Sequence, residues 1–218
     1  GEDTMILYVV RHGETEWNRL HKVQGRTDIP LNDYGRHLAR ETAEGMKSLS
    51  LDLAYTSPLS RARETAGIIL EGRNIPIIED ERIQEFSFGS YEGMHCGGEN
   101  KDPKSVEFNR FFTDTANYIP PEDGETIAHL YERTGSFLNW LCTNEELQEK
   151  SILVSTHGAA MTAFLNRIKG NLSVAGFWRD EVPPNCAVTI VEVTEGKPVI
   201  KREGVIYYKE SVKHWKAC

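Results

Sequence analysis

Two His-Gly pairs, His12-Gly13 and His157-Gly158, each follow a short apolar run, Met5 to Val10 and Ser151 to Ser155. An imidazole at the end of a buried strand can serve as nucleophile, general base or hydrogen-bond donor. Glycine beside it lets a backbone N–H approach an anion closely. One such pair is common in turns; two in the same local context point to a site. Arg11 adjoins His12, and Arg61 follows Thr56-Ser57-Pro58 at the start of a helical stretch. Guanidinium forks match phosphate oxygens in pairs, and a helix N-terminus adds partial positive charge. Neutral imidazoles among arginines suit transfer of an anionic group.

The surrounding pattern supplies the elements that must hold these groups. Met5 to Val10 and Ser151 to Ser155 read as buried strands, with further strands at Leu51 to Thr56, Ile75 to Ile78, Ala187 to Val193 and Val205 to Tyr208. Helical periodicity runs from Asn32 to Leu49, Leu59 to Leu70, Thr126 to Leu147 and Ala159 to Ile168. Strands alternating with helices predict an α/β fold with a mostly parallel central sheet and helices on both faces. Ligands of such sheets bind beyond the carboxyl ends of the strands, where both His-Gly pairs fall. Residues 86–123 are rich in Gly, Pro, Asn and aromatics and read as a small lid or insertion. Residues 5–218 read as a single domain, with Met5 as a natural start and Gly1 to Thr4 as a remnant ahead of it.

The bulk properties narrow the function class. The chain has 218 residues and a net charge of −8. An acidic surface argues against nucleic acid as a partner, since such binding runs on clustered Lys and Arg. No apolar run reaches membrane-spanning length, so a cytoplasmic protein without a membrane partner is expected. Cys96, Cys142, Cys186 and Cys218 are scattered, so reduced thiols are expected rather than a disulfide framework or a zinc site. His95-Cys96 lacks a second ligand pair, and no metal or other cofactor is expected.

Arg11-His12-Gly13-Glu14-Thr15 with Trp17-Asn18 resembles the R-H-G signature of the histidine phosphatase superfamily, also called the phosphoglycerate mutase-like family. Thr56 to Ala66 is similar to the family's T-S-x-L-x-R-A-x-x-T-A, and Glu85 to Gly93 resembles its E-x-x-x-G-x-[WY]-E-G. Gly124-Glu125-Thr126 resembles its G-E-[ST] helix start, and Ser155-Thr156-His157-Gly158 stands where the family has S-H-G, with Thr156 as an apparent extra residue. The motifs follow the family's order from Ile6 to about Ile168.

The resemblance implies a metal-independent phosphoryl-transfer enzyme with His12 as nucleophile. Arg11 and Arg61 would hold the phosphoryl oxygens and keep His12 unprotonated. His157 would be a second imidazole on the same group, and Glu85 the general acid and base. Asn18, Thr15, Gln24, Gly25 and Gly158 are implied as substrate contacts, while Glu14 and Glu92 read as structural. Arg82 either pairs with the acidic run Glu79-Asp80-Glu81 or lines the pocket mouth. The run after Glu85 lacks the Arg-His-Tyr of cofactor-dependent phosphoglycerate mutases, and Tyr91 to Asp123 holds only Lys101, Lys104 and Arg110 as cations. A histidine acid phosphatase-like hydrolase of a small phosphomonoester is therefore expected, ahead of a phosphoglycerate mutase or a non-catalytic module binding a phospho-ligand or protein.

Overall fold

The computed structural model describes residues 4–179 and 182–209. Six strands form one sheet: β1 (Thr4–Arg11), β2 (Leu53–Thr56), β3 (Ile77–Glu79), β4 (Ser151–Thr156), β5 (Val188–Thr194) and β6 (Lys197–Val205). Their order is β3-β2-β4-β1-β5-β6. The first four strands are mutually parallel, while β5 and β6 add an antiparallel edge. The architecture is the expected α/β fold with a mostly parallel sheet.

Side chains of β1 alternate between the two faces, as the twofold period of a strand requires. Met5, Leu7 and Val9 pack with Phe137, Leu138 and Leu141 of α5 (Ile127–Thr143) and with Met161, Phe164 and Leu165 of α6 (Gly158–Ile168). Tyr8 and Val10 pack with Met46 of α2 (Asp33–Met46) and with Ala66 and Ile69 of α3 (Ser60–Ile69). Both faces of the central strands are thus apolar, which is why they read as continuous runs. The remaining helices are α1 (Glu16–Arg19) and α4 (Ser105–Thr113). Residues 86–123 contribute α4 and short 3-10 turns but no strand of the sheet.

Two local expectations need correction. The last strand is Lys197–Val205 rather than Val205 to Tyr208. Glu195 and Gly196 both take positive φ, 53° and 75°, and close a two-residue hairpin from β5 into β6. The polar, exposed sequence of this edge strand hid it from a search for apolar runs. Thr4 opens β1, opposite Thr194. Cys142 and Cys186 are free and buried, but Cys96 is disulfide-bonded, a pairing that isolated cysteine spacing does not reveal.

Among the described residues no helix is long and apolar enough to cross a membrane.

Candidate active site

The carboxyl ends of three neighbouring strands converge. Arg11 closes β1 and His12 follows it; His157 follows β4 and is the N-cap residue of α6; Arg61 sits in the first turn of α3, beyond β2. All four are buried, Arg61 and His157 completely. The two imidazoles lie edge to face, with ring centroids 5.0 Å apart at 60°.

Each polar group is held by a few specific bonds. Nδ1 of His12 lies 2.7 Å from the carbonyl oxygen of Gly13. A carbonyl only accepts, so Nδ1 carries the proton and Nε2 keeps its lone pair. Nε2 of His157 meets the Ser57 hydroxyl at 2.7 Å, and that oxygen also accepts from the Leu59 amide at 3.2 Å. Arg61 donates through Nη1 to the Thr27 carbonyl at 2.6 Å and through Nη2 to that of Gly25. Arg11 donates through Nη1 to the Pro183 carbonyl at 2.6 Å. Nε of both arginines and Nδ1 of His157 are buried without a hydrogen-bond partner. Buried polar atoms are seldom left so unless a ligand meets them, and two guanidinium donors call for an anion.

The electrostatics agree. Burial, then Arg61 and Arg11, hold His12 well below the usual histidine range, against the opposing pull of the Gly13 hydrogen bond. Burial, then Arg61, His12 and Arg11, do the same to His157. Burial lowers Arg11 and Arg61 each to about 10. Near neutral pH the site therefore holds two cations and two neutral imidazoles.

One cavity wall carries Glu85. Its Oε2 accepts from the Ala159 amide and its Oε1 from that of Ala160, both at 3.1 Å, and Oε1 also accepts from the Phe86 amide at 2.8 Å. The carboxylate thereby caps the N-terminus of α6, whose partial positive charge favours it there. Arg11, His12, Asn18, Gln24, Gly25, Arg61, Glu85 and Gly158 all line the same cavity. Trp17, Phe88, Phe108, Phe111, Phe112 and Trp178 complete the aromatic part of the lining.

The profile of the histidine phosphatase superfamily (branch 1) matches residues 7–205. The chain belongs to this superfamily. It is 40% identical over 162 residues to Uncharacterized phosphatase PhoE of Bacillus subtilis (strain 168), covering 74% of this chain and 76% of that protein. It is 33% identical over 167 residues to Probable phosphoglycerate mutase GpmB of Cronobacter sakazakii, covering 75% and 74%. The structure of Bacillus stearothermophilus YhfR superposes with a TM-score of 0.81 at 30% identity, covering 92% of this chain and 96% of that one. Phosphatases and phosphoglycerate mutases thus both stand among the relatives of this superfamily member.

Several residues of the superfamily motifs do other work than the sequence suggested. Thr15 is fully buried and forms a capping box with Asn18: each side chain accepts from the other's amide at 3.1 Å. Its hydroxyl donates to Gln24, and Thr15 itself is not among the lining residues but holds two of them, Asn18 and Gln24. The Gly13 amide donates to Thr65 at 3.1 Å instead of standing open to an anion. Glycine is needed there because a Cβ would lie 2.6 Å from the Gly35 carbonyl oxygen. Thr156 is no insertion: β1 and β4 pair without a break from Ile6↔Ser151 to Arg11↔Thr156. Its hydroxyl donates to the Ile83 carbonyl at 2.7 Å. Glu92 accepts from the Thr27 and Phe88 amides, and Glu14 from Asn32, so both are structural as expected. Arg82 forks onto Asp80 and away from the cavity.

Sequence reasoning missed Trp17, Trp178, Val182, Ser57 and Asn185. Trp17 was visible inside the first motif. Asn185 donates to the His12 carbonyl at 3.0 Å across 173 positions of sequence, a contact without any local signal.

Proposed function

We propose that the chain is a metal-independent phosphomonoester hydrolase that works through a phosphohistidine on His12, with Glu85 as general acid and then general base. The observation that carries this reading is the Nδ1 bond of His12 to Gly13, which leaves Nε2 unprotonated beside two buried guanidinium groups. Nε2 attacks phosphorus as the bond to the alcohol oxygen breaks, and Glu85 gives its proton to the departing alkoxide. The Gly13 carbonyl supports the positive charge that grows on the ring. A water oxygen then bonds to phosphorus while Glu85 takes its proton; the P–N bond breaks, and inorganic phosphate leaves with His12 neutral again. Arg11, Arg61 and His157 stabilise the equatorial oxygens throughout.

The remainder of the cavity supports hydrolysis over mutase chemistry. A mutase must also hold a second anionic group. Beyond Arg11 and Arg61, Lys22 is the only lysine or arginine in the lining among the described residues, and Lys101, Lys104 and Arg110 are not part of it. The aromatic wall suits a phosphomonoester whose alcohol is apolar or aromatic.

The test is phosphate release from aryl phosphates, sugar phosphates, nucleotides and 3-phosphoglycerate in EDTA, with His12→Ala as control. Release that survives chelation and vanishes in the variant is expected. Turnover of 3-phosphoglycerate only with a bisphosphoglycerate primer would establish a mutase instead. Silence in both assays with phosphate still bound would leave a binding module.

A further inference from the structure

Glu85 lies on a stretch with no helix or strand of its own, just after the 3-10 turn Glu81–Ile83. The backbone groups of such a stretch need partners from elsewhere, and most come from one buried cluster. Arg133, two turns into α5, donates through Nη1 to the carbonyls of Arg82 at 2.9 Å and Gln84 at 2.7 Å. Its Nη2 donates to the Glu85 carbonyl at 3.0 Å. The same guanidinium forks onto Glu125, with Nε to Oε2 at 2.7 Å and Nη2 to Oε1 at 3.0 Å. Glu125 in turn accepts from the Ser87 amide at 3.1 Å, and its own amide donates to the Ser87 carbonyl at 2.8 Å. The chain is therefore gripped on both sides of Glu85. Arg26 adds a bond from Nε to the Glu85 carbonyl at 3.1 Å. It belongs to the turn whose Gly25 and Thr27 carbonyls hold Arg61. One cluster thus ties the carboxylate's backbone to the turn that orients a phosphate-binding arginine.

We infer that Arg133 and Glu125 are positioning residues for proton transfer: they set the distance between the Glu85 carboxylate and the oxygen of the departing alcohol. The inference rests on Glu85 being the general acid. Arg133 meets three carbonyls and a carboxylate with one planar fork, a geometry that the ammonium of lysine does not reproduce. Displacing a general acid matters only where the leaving group needs a proton. An alkyl phosphate needs one; p-nitrophenyl phosphate, whose phenolate is stable, does not. A part that merely held the fold together would lower both rates equally.

The experiment compares kcat/KM on these two substrates, which reports only the steps through departure of the alcohol, in Arg133→Lys, Glu125→Gln and Glu85→Gln. The ratio of the two values does not depend on how much of a variant is folded. Arg133→Lys and Glu125→Gln are expected to lose roughly 10- to 100-fold on the alkyl phosphate and less than about 3-fold on p-nitrophenyl phosphate. Glu85→Gln should show the same selectivity more strongly. Equal losses on both substrates in the Arg133 and Glu125 variants, with Glu85→Gln selective, would overturn the positioning role alone. Glu85→Gln without selectivity would overturn the acid role and the positioning with it.

Discussion

At its closed end the cavity is made of charged and polar side chains, each fixed by hydrogen bonds to backbone carbonyls, backbone amides or a neighbouring hydroxyl. At its mouth stand the half-buried rings of Trp17, Phe112 and Trp178, backed by a buried aromatic cluster. Phe86, Phe88, Phe108, Phe111 and Phe177 are buried in one cluster, with Phe112 and Trp178 packed against it. Trp178 is anchored by its indole N–H to the Phe111 carbonyl at 2.9 Å, and its ring lies 5.4 Å from that of Phe112. Directional bonds in a dry site lose most of their effect when one partner moves. Contacts between rings are shallow and numerous, and they adapt. The closed end should thus govern whether reaction occurs, and the mouth which alcohol is accepted.

Substitutions at the two ends should separate accordingly. The largest effect is expected from His12→Ala, which removes the nucleophile: kcat/KM should fall by about 10⁴-fold or more, while calorimetry still detects phosphate binding. Next, Arg61→Lys keeps the charge but loses the fork toward Gly25, Thr27 and the ligand. A fall of about 100-fold in kcat/KM on every substrate is expected. Trp178→Ala should act on one class only, raising KM for aryl phosphates about 10-fold while small sugar phosphates change little. A uniform change across substrates would erase the division between the two ends.

The smallest effect concerns stability. His12 and His157 are held below the ordinary histidine value in the folded chain, whereas the unfolded chain titrates near 6.5. Below that pH the unfolded state binds more protons, so stability is complete above about 6.5 and is lost as pH falls toward the depressed folded values. The slope should reach about 1.4 kcal/mol per pH unit for each imidazole. Urea unfolding at pH 7.5, 6.5 and 5.5 measures it, and His12→Ala should flatten it.

Most of the closed end was legible in sequence because Arg11, His12 and His157 sit at the end of an apolar strand and Arg61 at a helix start, where local pattern and position coincide. Glu85 lies on a stretch without helix or strand and was found only through the motif resemblance, and it shares the site with the other four. Thr15 lies outside the lining for a local reason: Thr-x-x-Asn is itself a capping pattern, and the cap engages the hydroxyl. The mouth was legible only as an aromatic-rich segment. That Phe111 and Phe112 face Trp178 depends on packing between segments more than sixty positions apart. The edge strand β6 was misplaced because its burial pattern is almost wholly exposed.

The unbroken pairing of β1 with β4 has a mechanical consequence. Adjacent strands in any sheet stand about 4.8 Å apart, and the two imidazoles leave neighbouring strands one residue after the same paired rung, Arg11↔Thr156. Their 5.0 Å ring separation is close to that spacing, with each ring then held by its own bond, His12 to Gly13 and His157 to Ser57. A starting distance set by backbone hydrogen bonds serves as a ruler that loop exchange or a new substrate at the mouth does not recalibrate. The mouth can therefore be rebuilt for another alcohol while the distance between the two histidines stays where the sheet put it.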